Sequence, residues 1–260
     1  MFLSEILAQK KKEVEQHKGT LPQRELLLAM ESLDARRNFA QAISDPHHIG
    51  LIAEIKRKSP SAGILCKDFY PERIARIYEA NGAAAISVLT DENFFGGNLG
   101  HLKEVKKSCT LPILRKDFII DEYQIYESAY YGADAILLIA NILTEGEIRK
   151  FQSVAKDLGL GILVEAHSEE DMSKALSAKS AVIGINNRDL HTFKVDLETT
   201  SNLIRMIPEG TRIISESGIK RFEDVMFLKS LGVNAVLIGE AFMKSNDIGS
   251  EVRQVMGLVL

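Results

Sequence analysis

Cysteine is scarce in this 260-residue chain: Cys66 and Cys109 are the only two, and they form no C-x-x-C pair. That excludes a disulfide framework and points to a reducing compartment. Long apolar runs are missing too. The longest, AILLIA at 135–140, is far too short to span a bilayer. The N-terminus, MFLSEILAQKKKEVEQHK, mixes acids and bases and lacks the apolar stretch of a signal peptide. A cytoplasmic protein is expected. Positive charge is not in excess: Lys and Arg number 32 against 36 Asp and Glu, for a net charge of −4. With a pI near 5.9, nucleic acid and anionic membranes are poor partners, and any affinity for phosphate must be local. The chain has no G-x-G-x-x-G, no P-loop and no Gly/Ser linker, so the usual nucleotide cradles and an internal domain break are not expected. Its six histidines include no H-x-x-x-H or H-x-H. His167 lies near Glu169 and Glu170, but those acids suit a helix N-terminus better than a metal. No metal is expected.

What is present is a repeat. Short apolar runs recur at LIAEIK (51–56), AAISVL (84–89), PILRKD (112–117), DAILLI (134–139), GILVEA (161–166), AVIGIN (181–186), RIISES (212–217) and AVLIGE (235–240). Between them lie segments of helical period, such as PERIARIYEA and RFEDVMFLKSL. NGAAAI, YGADAI and LGVNAV each set a glycine just past a helix and just before a strand, where a left-handed cap is wanted. Ser168, with Asp171 three residues on, reads as a capping box. Eight βα units without a break predict a single (β/α)8 TIM barrel, with a doubly wound sheet as the structural alternative. The domain spans residues 1–260: a helical extension over 1–46, then the barrel over 47–260. In the extension, Phe2, Leu3, Ile6 and Leu7 fall at helical spacing ahead of a lysine-rich stretch expected to be exposed. RELLLAMESL (24–33) reads as a second helix and DPHH (45–48) as a turn.

In such a barrel the site is built at the C-terminal strand ends, and polar residues cluster there. Glu54 and Lys56 end the first strand; Arg115, Lys116 and Asp117 the third; Glu165 the fifth; Asn186, Asn187, Arg188 and Asp189 the sixth; Ser215, Glu216 and Ser217 the seventh. Period-two counting puts Glu54 with Lys56, Asn186 with Arg188, and Ser215 with Ser217 on shared faces. A lone Lys–Glu pair in a barrel can simply satisfy itself. Two lysines and two glutamates converging on one mouth are costly to desolvate unless paired or used. Arg57, Lys58 and Asp117 read as ordinary surface charges. Gly218 and Gly239 follow the last two strands, where barrels frequently hold phosphate; each is expected to precede a short helix whose backbone N–H groups face an anion, and Ser59 can add a hydroxyl. Phe94 and Phe95, in the loop after the second strand, suit stacking on an aromatic substrate or a small loop core.

The chain resembles the indole-3-glycerol phosphate synthase family over essentially its whole length. The matching motifs are AEIKRKSPSAG (53–63), LTDENFFGG (89–97), PILRKDFIID (112–121), GADAILLI (132–139), VEAH (164–167), IGINNRDL (183–190), SESGI (215–219) and VLIGEAFM (236–243). The resemblance implies a carbon–carbon lyase of tryptophan biosynthesis. It converts 1-(2-carboxyphenylamino)-1-deoxyribulose 5-phosphate to indole-3-glycerol phosphate, carbon dioxide and water, with no cofactor because the aniline nitrogen supplies the electrons. Carried over by motif, Lys116 is the general acid, Lys56 holds the substrate carboxylate or serves the dehydration, Glu165 is the base, and Glu54 orients the lysines. Asn186, Arg188, Glu216 and Ser217 position the substrate, with Phe95 and Phe118 on its aromatic part. Ser59, Gly218, Gly239 and the backbone of Glu240 serve the phosphate, the Glu240 side chain being expected to point away. The extension is expected to cover part of the mouth. A monomer or weak homo-oligomer without a fused isomerase is expected, its partner a small phosphorylated aromatic substrate. Two alternatives stay open: another phosphosugar barrel enzyme, such as phosphoribosylanthranilate isomerase, and a non-catalytic binder of a phosphorylated aromatic.

Overall fold

The computed structural model describes residues 2–30, 35–45, 47–189 and 192–258, without the side chains of Phe2 and Met30. Eight parallel strands close into a barrel in which each pairs with its neighbours in chain order and the last pairs with the first. They are β1 (Gly50–Ile55), β2 (Ala85–Leu89), β3 (Ile113–Lys116), β4 (Ala135–Ile139), β5 (Gly161–Ala166), β6 (Val182–Asn186), β7 (Arg212–Glu216) and β8 (Ala235–Ile238). Each falls on one of the eight apolar runs, so the barrel expected from the repeat is the fold observed.

Alternation along each strand sorts the side chains. Ile136, Leu138, Val164, Ile183 and Ile185 point outward and are buried under the helices. Ile52, Leu114, Leu163 and Ile214 point inward and fill the barrel. Burying each such aliphatic side chain contributes on the order of 1.5–3 kcal/mol. The outer helices carry the complementary stripe. In helix Glu145–Asp157 the buried face is Ile148, Phe151, Gln152 and Ala155, and Thr144 with Glu147 closes its N-terminus as a reciprocal capping box. At Ser168 only half of that motif forms. Its hydroxyl accepts the Asp171 N–H, whereas the Asp171 carboxylate turns back to the N–H of His167. Gly82, Gly132 and Gly232 take φ of +87°, +90° and +89°, the left-handed geometry that lets a helix turn into the next strand.

The extension closes the barrel at both ends. Helix α1 (Phe2–Thr20) lays Leu3 and Ile6 into the core at the mouth. Helix α2 (Gln23–Met30) covers part of RELLLAMESL, whose residues 31–33 lie outside the described set. Short helix α3 (Phe39–Ala42) seals the opposite end, with Phe39 against Gly161 at the start of β5 and Ile43 against Gly50 at the start of β1. A side chain on either glycine would displace that plug. In the 45–48 turn the Asp45 carboxylate accepts the N–H groups of His47 and His48; Pro46 is outside the described residues.

Candidate active site

The layer above Ile52, Leu114, Leu163 and Ile214 comes two residues later on the same alternating strands. It consists of Glu54, Lys116, Glu165 and Glu216. Layers of four from alternate strands are how such barrels fill, and here the topmost layer is ionic. Lys116 Nζ lies 2.9 Å from Glu165 Oε2 and 2.9 Å from Glu216 Oε2. Glu165 Oε1 also accepts the Asn186 side-chain amide at 3.1 Å, and Asn186 Oδ1 accepts the Arg188 N–H at 3.0 Å. Lys56, just past the end of β1, pairs with Glu54 at 2.5 Å.

Burial acts on all three central groups and is overruled in two. It would lower the Lys116 ammonium, but the charges of Glu165, Glu216 and Glu54 hold it above the ordinary lysine range. Burial would raise Glu165, but Lys116 and the Asn186 amide hold it below the usual carboxylate range. At Glu216 burial wins, helped by repulsion from Glu165, and the carboxyl is pushed up to about 7. One ammonium therefore sits between a carboxylate that keeps its charge and a carboxyl that readily takes a proton.

Above the ring opens a cavity of about 770 Å³, lined by every one of the fourteen site residues expected from the sequence. One wall is aromatic: Phe95 and Phe118 face each other with ring centroids 6.2 Å apart, and Leu3 and Ile6 of α1 add to it. Phe95 ends a short helix (Glu92–Phe95) rather than a loose loop, with Asp91 as its N-cap. The other wall carries more cations than acids, with Arg188, Lys220 and Lys244 beside Glu240 and Glu251. Gly239 caps the short helix Glu240–Lys244. Gly218 does not precede a helix directly, since the next one starts at Phe222. The Glu240 side chain does not point away: it binds Arg188 at 3.1 Å and Lys244 at 2.7 Å across the rim.

Four further expectations are corrected by the structure, three of them through strand geometry. Ser215 faces outward and bonds to Asn187 and Thr200 behind the sheet, leaving Glu216 as the inward residue of β7. Ser217 still reaches the cavity because alternation ends there: it and Gly218 take φ of +67° and +83°. Asn187 holds this turn by donating to the carbonyl oxygens of Glu216 and Ser217. Arg115 likewise points away from the mouth, into a buried cluster with Glu127 and Asp117. Asp117 is no surface charge: it is buried, accepts from Thr90 at 2.6 Å and pairs with Lys10 at 2.9 Å. Lys10, from the stretch expected to be exposed, is 3% exposed. Lys244 was missed altogether, though its place four residues after Glu240 is the helical ion-pair spacing.

A closed parallel barrel with an ionic ring at its mouth, between an aromatic and a cationic wall, defines an acid–base enzyme for a small anionic substrate. A family model described as indole-3-glycerol phosphate synthase matches residues 3–255. The chain belongs to the indole-3-glycerol phosphate synthase family, decarboxylating lyases of tryptophan biosynthesis. Relatives of that name include one from Thermoanaerobacter pseudethanolicus, 51% identical and covering 95% of this chain and 94% of its own. Another, from Caldanaerobacter subterraneus subsp. tengcongensis, is 50% identical over 99% and 100%. Among solved structures, 3-hexulose-6-phosphate synthase from Salmonella typhimurium superposes with TM-score 0.65 at 14% identity, over 81% of this chain and 98% of that one. At that identity the likeness concerns the barrel alone.

Proposed function

We propose that Lys116 is the proton donor for ring closure of 1-(2-carboxyphenylamino)-1-deoxyribulose 5-phosphate, and that the ionic ring around it runs the remaining steps. The observation that carries this reading is the bridging of Lys116 between Glu165 and Glu216 beneath the cavity. The aromatic carbon bearing the carboxylate attacks the ribulose carbonyl, and the carbonyl oxygen takes a proton from Lys116. A developing alkoxide is a stronger base than a lysine amine, so the transfer proceeds even though the ring holds that proton tightly. Carbon dioxide then leaves, and its bonding electrons restore the aromatic ring. The new hydroxyl departs as water, pushed by the aniline nitrogen, and Glu165 removes the proton that completes the indole. Its carboxylate, held ionised by Lys116 and Asn186, suits a base.

Lys56 holds the substrate carboxylate and serves the dehydration, with Glu54 orienting it at 2.5 Å. Phe95 and Phe118 take the aniline ring. Arg188, Ser217 and Asn186 position the sugar chain. The phosphate lies among Ser59, Gly218, Gly239 and the backbone of Glu240, with Arg188 and Lys244 supplying charge.

The direct test follows indole fluorescence from the purified protein and this substrate. Lys116→Ala should lose turnover by about 10²–10⁴-fold, the scale of general acid catalysis, while product binding stays measurable by titration. Near-normal turnover would take the acid's role away from Lys116.

A further inference from the structure

Gly184 stands inside β6, paired with Ile214 of β7. A glycine within a strand weakens it, and this one is not among the residues of positive φ. Its backbone does not call for glycine; its surroundings do. A Cβ added at residue 184 would overlap Oε1 of Glu216 and lie 3.3 Å from Cδ. The Glu216 backbone is held by pairing with Asn186 across the β6–β7 ladder and by the Asn187 amide on its carbonyl oxygen, so it is the carboxyl end of the side chain that a Cβ at 184 would displace. Its two carboxyl oxygens therefore meet different surroundings. Oε2 binds Lys116 at 2.9 Å. Oε1 rests over the bare Cα of residue 184, without a hydrogen bond among the described residues.

We propose that Gly184 is a positioning residue for the proton donor: its missing side chain is the seat of the Glu216 carboxyl, and through Glu216 it fixes Lys116. The proposal rests on the catalytic role argued above for Lys116. The construction recurs at the other lysine. A Cβ on Gly239 would overlap Oε1 of Glu54, the partner of Lys56. Each lysine thus leans on a carboxyl seated against a glycine. The seat also explains the proton affinity of Glu216, since an oxygen sunk into the barrel without a donor disfavours the charged form.

The test is a cycle of Gly184→Ala with and without Glu216→Ala. In the first case the methyl lifts the carboxyl off Lys116 toward the mouth. The expected result is a fall in kcat of about tenfold or more with KM within about twofold, the signature of a contact used in the transition state. In the Glu216→Ala background only the tip of the Leu163 side chain stays close, at 3.1 Å, and it can shift into the space Glu216 leaves, so Gly184→Ala should leave the residual kcat within about twofold and the thermal midpoint equal or slightly higher. Equal penalties in both backgrounds would reduce Gly184 to packing against Leu163 and overturn the proposal. Should Gly184→Ala fail to fold alone, folding of the double variant supports the seat, and failure of both overturns it. Thermal midpoints report the seat even if Lys116→Ala keeps turnover, so the two readings fail separately.

Discussion

Asp117 follows Lys116 by one residue, yet the alternation of an extended chain turns it away from the ring and toward α1. There it meets Lys10, which also binds Asp91 at 2.9 Å and Glu13 at 2.6 Å. Asp91 caps the short helix that ends in Phe95, and Asp117 precedes Phe118. One buried ammonium thus ties α1 to both halves of the aromatic wall. Removing it leaves buried Asp91 without its counter-charge and Asp117 with Arg115 alone, which costs about 3–5 kcal/mol. Lys10→Met should therefore lower the urea midpoint strongly and raise KM more than it lowers kcat. The pH dependence should change with it. Burial opposes the charge on Asp117, but Lys10 and Arg115 hold it well below the ordinary carboxylate value of 3.8. Its contribution to stability is then present above that value and lost as pH falls through the depressed one. Without Lys10 the acid loss should begin at higher pH; an unshifted acid transition would exclude this role. Glu216 works in the opposite sense. With its pKa raised to about 7, its contribution is present below the ordinary carboxylate value of 4.5 and lost as pH rises toward 7. The ring is kept for its chemistry at some expense to neutral-pH stability.

At the scale of elements, the strands and the glycine caps were legible because periodicity and turn chemistry are local signals. Fourteen site residues fell together in one cavity for the same reason: closing the barrel brings every strand end to one mouth. What failed was local counting at points where the chain stops being regular. Ser215 and Ser217 share a parity, but the left-handed turn at Ser217 breaks the alternation between them. Lys10, Lys11 and Lys12 look alike in the sequence, and only the tertiary partners of α1 single out the first. Nor does a strand glycine announce that a carboxyl from the neighbouring strand lies over it. The docking of α1 carries its own titration. His17 lies 2.7 Å from Glu127, whose other oxygen pairs with Arg115. The hydrogen bond to Glu127 raises His17 above its ordinary value of 6.5, against burial and the Arg115 charge, with Glu13 adding a smaller pull upward. A raised histidine stabilises fully below the ordinary value, and that contribution is lost as pH rises through the raised one. Amide exchange along α1, corrected for intrinsic rates, should show protection declining as pH rises above the ordinary histidine value of 6.5. His17→Gln should flatten that decline, and identical profiles for the two proteins would rule the contact out as the cause.

For the whole molecule, the extension performs two tasks at opposite ends of one barrel, and the two should be separable by mutation. At the floor, Phe39 is fully buried where α3 meets the start of β5, far along the strands from the ionic ring. At the mouth, Ile6 is equally buried but lines the cavity opposite the cationic wall. The N-terminal face of such a barrel answers for stability and the C-terminal face for chemistry, so the same loss of apolar volume should read differently at each end. Phe39→Ala should cost about 3–5 kcal/mol of unfolding free energy through the cavity it leaves, with kcat and KM unchanged at temperatures well below its melting point. Ile6→Ala should also destabilise, by about 2–5 kcal/mol, but in addition should raise KM, because it thins the aromatic wall and admits water beside the substrate. The measurement is a pair of chemical denaturation curves set beside steady-state kinetics at one temperature. A rise in KM from Phe39→Ala as large as that from Ile6→Ala would mean that the floor and the mouth are coupled through the barrel interior. The interior layers of Ile52, Leu114, Leu163 and Ile214 would then transmit strain upward to Lys116 and could not be treated as a rigid spacer beneath it.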